Sequence, residues 1–226
     1  MANDRSKAPP VEVFWISGSP YAWRVLLALA LKGAPFASRL LEVSKGELSS
    51  PEFLAVNPRG KVPALRDGEL TMGESMAIVR YINRRFPDPP LFGRNHAEEA
   101  RVNQNIDEIE NYLVPETGWI TRALFVDLVA GKEEILNARA ERVRTELANL
   151  ETRVNTWLVG DAISAADISL YPVIAALLRA AGKPAAAALD LRLLPFAERY
   201  PRLAQWCGRV EALPGFDATY PPHWRE

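Results

Sequence analysis

The chain is poor in the residues that crosslink proteins and hold metals. Its 226 residues include one cysteine, Cys207, and two histidines, His96 and His223. A single cysteine excludes an internal disulfide and a thiolate metal cluster. The two histidines are far apart in sequence, which speaks against a metal site. Net charge is also scarce, at -1 with both signs interspersed. That leaves no basic stripe for nucleic acid and no polybasic segment for a membrane surface. No uncharged apolar run reaches the roughly 18 residues that span a bilayer. Residues 1–10 lack the apolar core of a secretory signal and read as a loose polar tail. The default location is the cytoplasm.

What is present fits an ordinary soluble globular protein, 48% hydrophobic and 24% charged. The length suits one large domain or two smaller ones. Val11 to Ile16 reads as a first strand. Ala22, Val25, Leu26, Leu29 and Ala30 then repeat at helical spacing, with Pro20 suited to the first turn and Gly33 to the C-terminal cap. Phe36 to Val43 reads as a second strand. Ser44 to Leu54 is polar, with room for one short helix. Val62 to Leu65 and Leu70 to Met72 form a hairpin about Asp67-Gly68. Ile78, Tyr81, Ile82 and Phe86 mark the next helix. The order strand, helix, strand, hairpin, helix predicts a compact α+β sheet domain over 11–87.

The segment Pro87 to Gly93 reads as a linker. Beyond it the strand signals stop, and an all-α helical bundle is expected over 94–226. Residues 97–128 read as one or two helices with a break near Pro115 to Gly118. Val143, Leu147, Leu150, Val154 and Trp157 trace one buried helical stripe. Ser164-Ala165-Ala166-Asp167 is a capping box before a central helix, Ile168 to Leu178. Leu203, Trp206, Cys207, Val210 and Leu213 mark a last helix.

The stretch Asn57-Pro58-Arg59-Gly60-Lys61-Val62-Pro63-Ala64-Leu65, followed by Gly73-Glu74-Ser75, carries the chemistry. A Pro inside a strand belongs at an edge, a bulge or a cis turn. A cis bond before Pro63 would offer the Val62 amide and carbonyl to an extended peptide. Glu74-Ser75 enters a helix where free N–H groups lie beside a carboxylate and a hydroxyl. That combination suits a ligand bearing both an amine and a carboxylate. The same residues also describe a Pro-kinked edge strand followed by a capped helix.

These segments, together with Ser19-Pro20-Tyr21-Ala22-Trp23-Arg24-Val25, Pro51-Glu52-Phe53-Leu54 and the Ser164 to Asp167 box, resemble the cytosolic glutathione S-transferases. The resemblance runs over about residues 11–216 and is nearest the serine-type theta, phi and zeta classes. It implies a thioredoxin-like N-terminal domain, a helical C-terminal domain carrying an electrophile pocket, a homodimer, and glutathione as co-substrate at the domain junction. It implies the family's detoxification chemistry, transfer of glutathione to a small hydrophobic electrophile, with no metal. It assigns Ser19 to the glutathione sulfur, with Ser17 and Tyr21 as nearby alternatives. It assigns the Val62 backbone, with Pro63 as the cis proline and Lys61 beside it, to the cysteinyl part. It assigns Glu74 and Ser75 to the γ-glutamyl end. Leu48 and Ser49 stand where related sequences often hold the glycine carboxylate with basic residues, so either Lys45 or Arg59 substitutes or glutathione binds weakly. Tyr21, Tyr112, Trp119 and Arg122 are the candidates for the electrophile pocket. Two other roles fit the resemblance: a glutathione-dependent isomerase of the maleylacetoacetate type, and a non-catalytic binding protein on the same fold.

The chemistry is feasible on magnitudes. A free thiol has a pKa near ~8.5, and lowering it by about two pH units requires about 2.7 kcal/mol. A hydroxyl donor to an anion supplies roughly 1.5–3 kcal/mol. A helix amino end adds about 0.3–1 kcal/mol. Ser19 thus serves as a donor to a thiolate, not as a nucleophile. Cys207, on an apolar stripe, is assigned to packing.

Overall fold

The computed structural model describes residues 11–126 and 128–225, and the reading of residues 1–10 as a tail lies outside them. The chain divides into two compact units. One takes the chain up to Pro89 together with the segment from Pro214 onward, and the other runs from Pro90 to Leu213.

The first unit is built on a four-stranded sheet of order β2-β1-β3-β4. Its elements are β1 (Val11–Trp15), α1 (Pro20–Leu31), β2 (Phe36–Leu40), α2 (Pro51–Val56), β3 (Ala64–Asp67), β4 (Leu70–Met72) and α3 (Ser75–Arg85). β1 pairs parallel with β2 and antiparallel with β3, and β3 and β4 form a hairpin. Gly68 turns that hairpin at φ +60°, a conformation that favours glycine. Strand alternation sorts the core. Phe14 is opposite Ala64 on the face that α2 covers with Phe53 and Val56. Val13 and Leu65 are paired in register and wholly buried. α1 packs on α3 and is buried from Ala22 through Leu29. It ends as expected, with Gly33 at φ +55° just past the cap.

Two expectations in this unit need correction. β2 stops at Leu40, because Val43–Lys45 and Glu47–Ser49 wind into short 3-10 turns. β3 starts at Ala64, so Val62 and Pro63 precede the strand.

The second unit is helical: α4 (His96–Glu108), α5 (Val114–Phe125), α6 (Glu133–Arg153), α7 (Ala165–Ala181), α8 (Phe196–Arg199) and α9 (Pro201–Glu211). α7 is central, buried on almost every side, and packs against α4 and α5. The Asp167 carboxylate accepts from the Ser164 N–H and hydroxyl, the Leu158 N–H and the Trp206 indole at 2.8–3.0 Å. Full burial pushes its pKa up, and those four donors oppose the shift.

No break occurs at Pro115–Gly118. A widened π turn, Ile109–Leu113, leads directly into α5 and places Pro115 in its first turn. Trp157 lies outside α6, which ends at Arg153. Carbonyls in the last turn and just past it are taken by arginines of α9: Arg202 donates to Thr152, and Arg209 to Asn155 and Thr156. The expected grouping of 94–226 also changes. α10 (Phe216–Thr219) and a 3-10 turn, Pro222–Trp224, belong with the first unit.

Candidate functional site

Within the first unit, the Ile16 to Ser19 turn joins β1 to α1. The Ser19 N–H closes it on the Ile16 carbonyl at 3.4 Å, and Gly18 sits in it at φ +80°. Ser19 is the N-cap of α1: its hydroxyl oxygen accepts from the Ala22 N–H at 3.2 Å. Capping occupies an oxygen lone pair and leaves the hydroxyl proton to donate. No acidic residue lies in the first turn of α1 to cancel its positive end.

Of the other two sulfur candidates, Ser17 shares a 2.5 Å hydrogen bond with His223 Nδ1. Tyr21 is exposed, and the Arg24 guanidinium lies 5.0 Å from its ring centre.

The loop before β3 is organised by Asn57, which is 7% exposed. Its Nδ2 donates to the Lys61 carbonyl at 2.6 Å, and its Oδ1 accepts from the Arg59 N–H at 3.2 Å. Gly60 turns at φ +60° and donates to the Asn57 main-chain carbonyl. The Val62–Pro63 bond is cis. Among the described residues no hydrogen bond engages the Val62 backbone. The side chains of Arg59 and Lys61 point into solvent.

Glu74 is exposed and held at φ +63°, immediately before the buried Ser75 at the start of α3. A non-glycine residue in that region costs about 1–3 kcal/mol, and such strain clusters at functional positions. Ser75 is reached from within: Arg24, wholly buried on α1, donates to its hydroxyl at 3.3 Å. That contact links α1, capped by Ser19, to the helix that Glu74 and Ser75 open.

Lys45 is engaged elsewhere. It pairs with Glu42 at 2.7 Å, and that hydrogen bond raises its pKa. Leu48 has a structural reason for not being basic: it packs against the Phe53, Val56 and Ala64 core.

In the second unit, Tyr112 lines a largely polar cavity of about 360 Å³ with Glu108, Glu146, Asn149, Thr152 and Arg153. Trp119 is not in that lining, and the Arg139 guanidinium lies 4.8 Å from its ring centre. Arg122 is exposed in the last turn of α5. Of the second-unit pocket candidates, Tyr112 is in this lining and Trp119 and Arg122 are not. Cys207 is inert at neutral pH, since burial pushes its thiol up to about 12. Among the described residues no group of three or more His, Cys, Asp or Glu is placed to hold a metal. Among the described residues no helix is long and apolar enough to cross a membrane.

The roles of Asn57 and of the Pro214–Arg225 segment escaped the sequence reading. Asn57 stood in a quoted motif with no task attached. The C-terminal segment carries Phe216, Tyr220 and Trp224 at four-residue spacing, an aromatic stripe that marks it for packing.

Known proteins share this arrangement. A family model described as glutathione S-transferase, N-terminal domain, matches residues 18–85, and its C-terminal counterpart matches 97–209. Glutathione S-transferase F10 of Arabidopsis thaliana is 32% identical over 71% of this chain and 78% of its own. The crystal structure of a glutathione S-transferase from the Antarctic clam Laternula elliptica superposes with a TM-score of 0.81. It is 27% identical and covers 96% of this chain and 94% of its own. The structure of glutathione S-transferase-I bound with lactoylglutathione has a TM-score of 0.76 at 25% identity, covering 93% and 98%.

Proposed function

The chain belongs to the glutathione S-transferase family, and from that membership we propose how its residues ionise the thiol and hold the tripeptide. The protein is a glutathione transferase with glutathione as co-substrate. The residues present fit a tripeptide thiol. The first unit offers an unengaged backbone amide and carbonyl at Val62, a hydroxyl proton at Ser19 and the open amino end of α3.

In this reading Ser19 donates its proton to the sulfur, and the α1 amino end adds to the stabilisation of the thiolate. The Val62 backbone pairs with the cysteinyl residue, with Pro63 setting the entry to β3. The Ser75 hydroxyl and the first N–H groups of α3 take the γ-glutamyl carboxylate, and Glu74 takes the amine. Arg59 and Lys61, with solvent-facing side chains, are favoured for the glycine carboxylate. Lys45 would first have to release Glu42. The thiolate attacks a small hydrophobic electrophile, for which the exposed Tyr21, Tyr112, Trp119 and Arg122 offer surface. The working form is a cytoplasmic homodimer.

The observation that carries this reading is the hydrogen bonding of Ser19. The cap uses one lone pair of its oxygen and leaves the hydroxyl proton available, and a thiolate, which can only accept, calls for that proton. Titration of the thiolate absorbance of bound glutathione tests it. Ser19→Ala should raise the thiol pKa by about one to two pH units and lower turnover of an aryl halide accordingly. An unchanged titration would refute the assignment.

A further inference from the structure

We propose that His223 is a positioning residue for the thiol-ionising turn, held there by the segment Pro214–Arg225 acting as a strap. The proposal rests on the reading of Ser19 as the sulfur donor.

The strap is anchored on α1. Trp23, almost wholly buried, donates its indole N–H to Thr219 Oγ1 at 2.9 Å. The ring centres of Phe216, Tyr220 and Trp224 lie 5.5–5.9 Å from that of Trp23, the last two edge-on. Aromatic contacts of this kind stabilise beyond the area they bury. They fix the chain end on the helix whose cap is Ser19.

From that anchor the strap reaches the turn. His223 Nδ1 and Ser17 Oγ share a hydrogen bond of 2.5 Å. The imidazole and the neighbouring indole cover Gly18 closely. A Cβ at Gly18 would stand 2.7 Å from His223 Cε1 and 3.2 Å from Trp224 Nε1. Position 18 must be glycine on two independent counts, its φ of +80° and this cover.

The Ser17-Gly18-Ser19 backbone is therefore held on two sides. The α1 cap holds it through Ser19, and the strap holds it through Ser17 and over Gly18. The direction of the Ser19 hydroxyl follows from the direction of that backbone. A hydrogen bond to a developing thiolate weakens steeply once it leaves line. The stretch before Val62 is held by Asn57 and Ser75 by Arg24, so binding of the tripeptide is set by supports other than the strap.

The test compares His223→Ala, His223→Asn and Ser17→Ala in the full-length protein, with kinetics in an aryl halide and glutathione and with titration of the bound thiolate. Asn places its amide close to where Nδ1 stood. His223→Ala should lower kcat about two- to tenfold below the wild-type thiol pKa and move the thiolate titration up correspondingly, the span of one hydrogen bond. The KM for glutathione should stay within about twofold. His223→Asn should recover most of the loss. Ser17→Ala should match His223→Ala, and the double variant should be no worse than either. The inference is overturned if His223→Ala leaves kcat and the titration at wild-type values. It is equally overturned if KM rises with the loss of kcat, or if Asn recovers nothing. A wild-type protein whose bound thiol titrates like free glutathione would instead sink the Ser19 reading itself, so the two failures are distinct.

Discussion

Arg24 and Ser75, 51 positions apart, meet in the interior of the first unit, where the guanidinium donates to the hydroxyl at 3.3 Å. Both are buried. The contact makes α1, which carries the proposed sulfur donor, and α3, which carries the proposed γ-glutamyl site, one rigid support. Arg24→Ala should therefore act on stability and on binding together. Removing a buried charged donor and its packing is expected to cost about 3 kcal/mol or more in a denaturant melt. The KM for glutathione should rise at the same time. Lys has one point charge where Arg has a planar fork, so Arg24→Lys should not restore either quantity. Wild-type stability and KM in Arg24→Lys would show that the fork is not needed.

Ser19 has two tasks in this account, and two substitutions separate them. Ser19→Ala loses the cap and the donor, and should cost about 1 kcal/mol of stability along with the thiolate. Ser19→Asp keeps a good N-cap oxygen but offers no proton at neutral pH and brings a negative charge to the sulfur. It should melt like the wild type and be at least as inactive as Ser19→Ala. An active Ser19→Asp would mean that the cap, and not the proton, is what matters.

The contrast between these positions and the C-terminal strap shows what a sequence makes legible. Pro20 at the start of α1, Gly33 after its end, the Gly68 turn and the Ser164 to Asp167 box all act within a few residues, and each carries its own local signal. Leu48 looked like a missing base because its role as a wedge into the α2 and β3 core is a long-range fact. Pro115 looked like a helix break because nothing local announces a π turn. Trp23 and Thr219 are 196 positions apart, and no periodicity near either one names the other. The stretches proposed to bind glutathione were singled out by resemblance. The residues that brace them, Asn57 from beneath and His223 from the chain end, were not, because a brace is defined by what it touches.

Glu12 supplies a pH signature for the sheet. It accepts from Arg66 at 2.5 Å and from Arg39 at 2.7 and 2.9 Å. The Arg66 hydrogen bond first, then that of Arg39, holds its carboxyl below the usual carboxylate range. With the folded pKa depressed, its contribution is present above the unfolded value and is lost as pH falls through the folded one. The arginines are partly exposed, which limits the network to about 1 kcal/mol. Glu12→Gln should be less stable by that amount at pH 7, and the gap should shrink as pH falls through the ordinary carboxylate range and close once it passes the depressed folded value. High salt should narrow the gap as well. A difference that persists undiminished into acid would mean that Glu12 acts by packing and not by charge.

Asn57 offers the complementary test to His223. Its side chain satisfies the Lys61 carbonyl and the Arg59 N–H, and Gly73 lies against its amide, where a Cβ would come within 3.2 Å of Nδ2. Asn57→Ala leaves both backbone groups without that partner and should destabilise by about 1–3 kcal/mol. Asn57→Asp keeps the acceptor for Arg59 but sets a carboxylate oxygen against the Lys61 carbonyl, so it should fare no better at neutral pH. Lys61 directly precedes Val62. Loosening it should raise the KM for glutathione while the pKa of the thiol, once bound, stays near the wild-type value, because the Ser19 turn is braced separately. Amide exchange at Gly60 should quicken in Asn57→Ala: its acceptor, the Asn57 main-chain carbonyl, remains, but the side-chain bonds that hold this turn closed are gone. If Asn57→Ala moves the bound thiol titration as far as Ser19→Ala does, then the two halves of the proposed site are not independent. The division of labour between a binding edge at residue 62 and an ionising turn at residue 19 would then have to be abandoned.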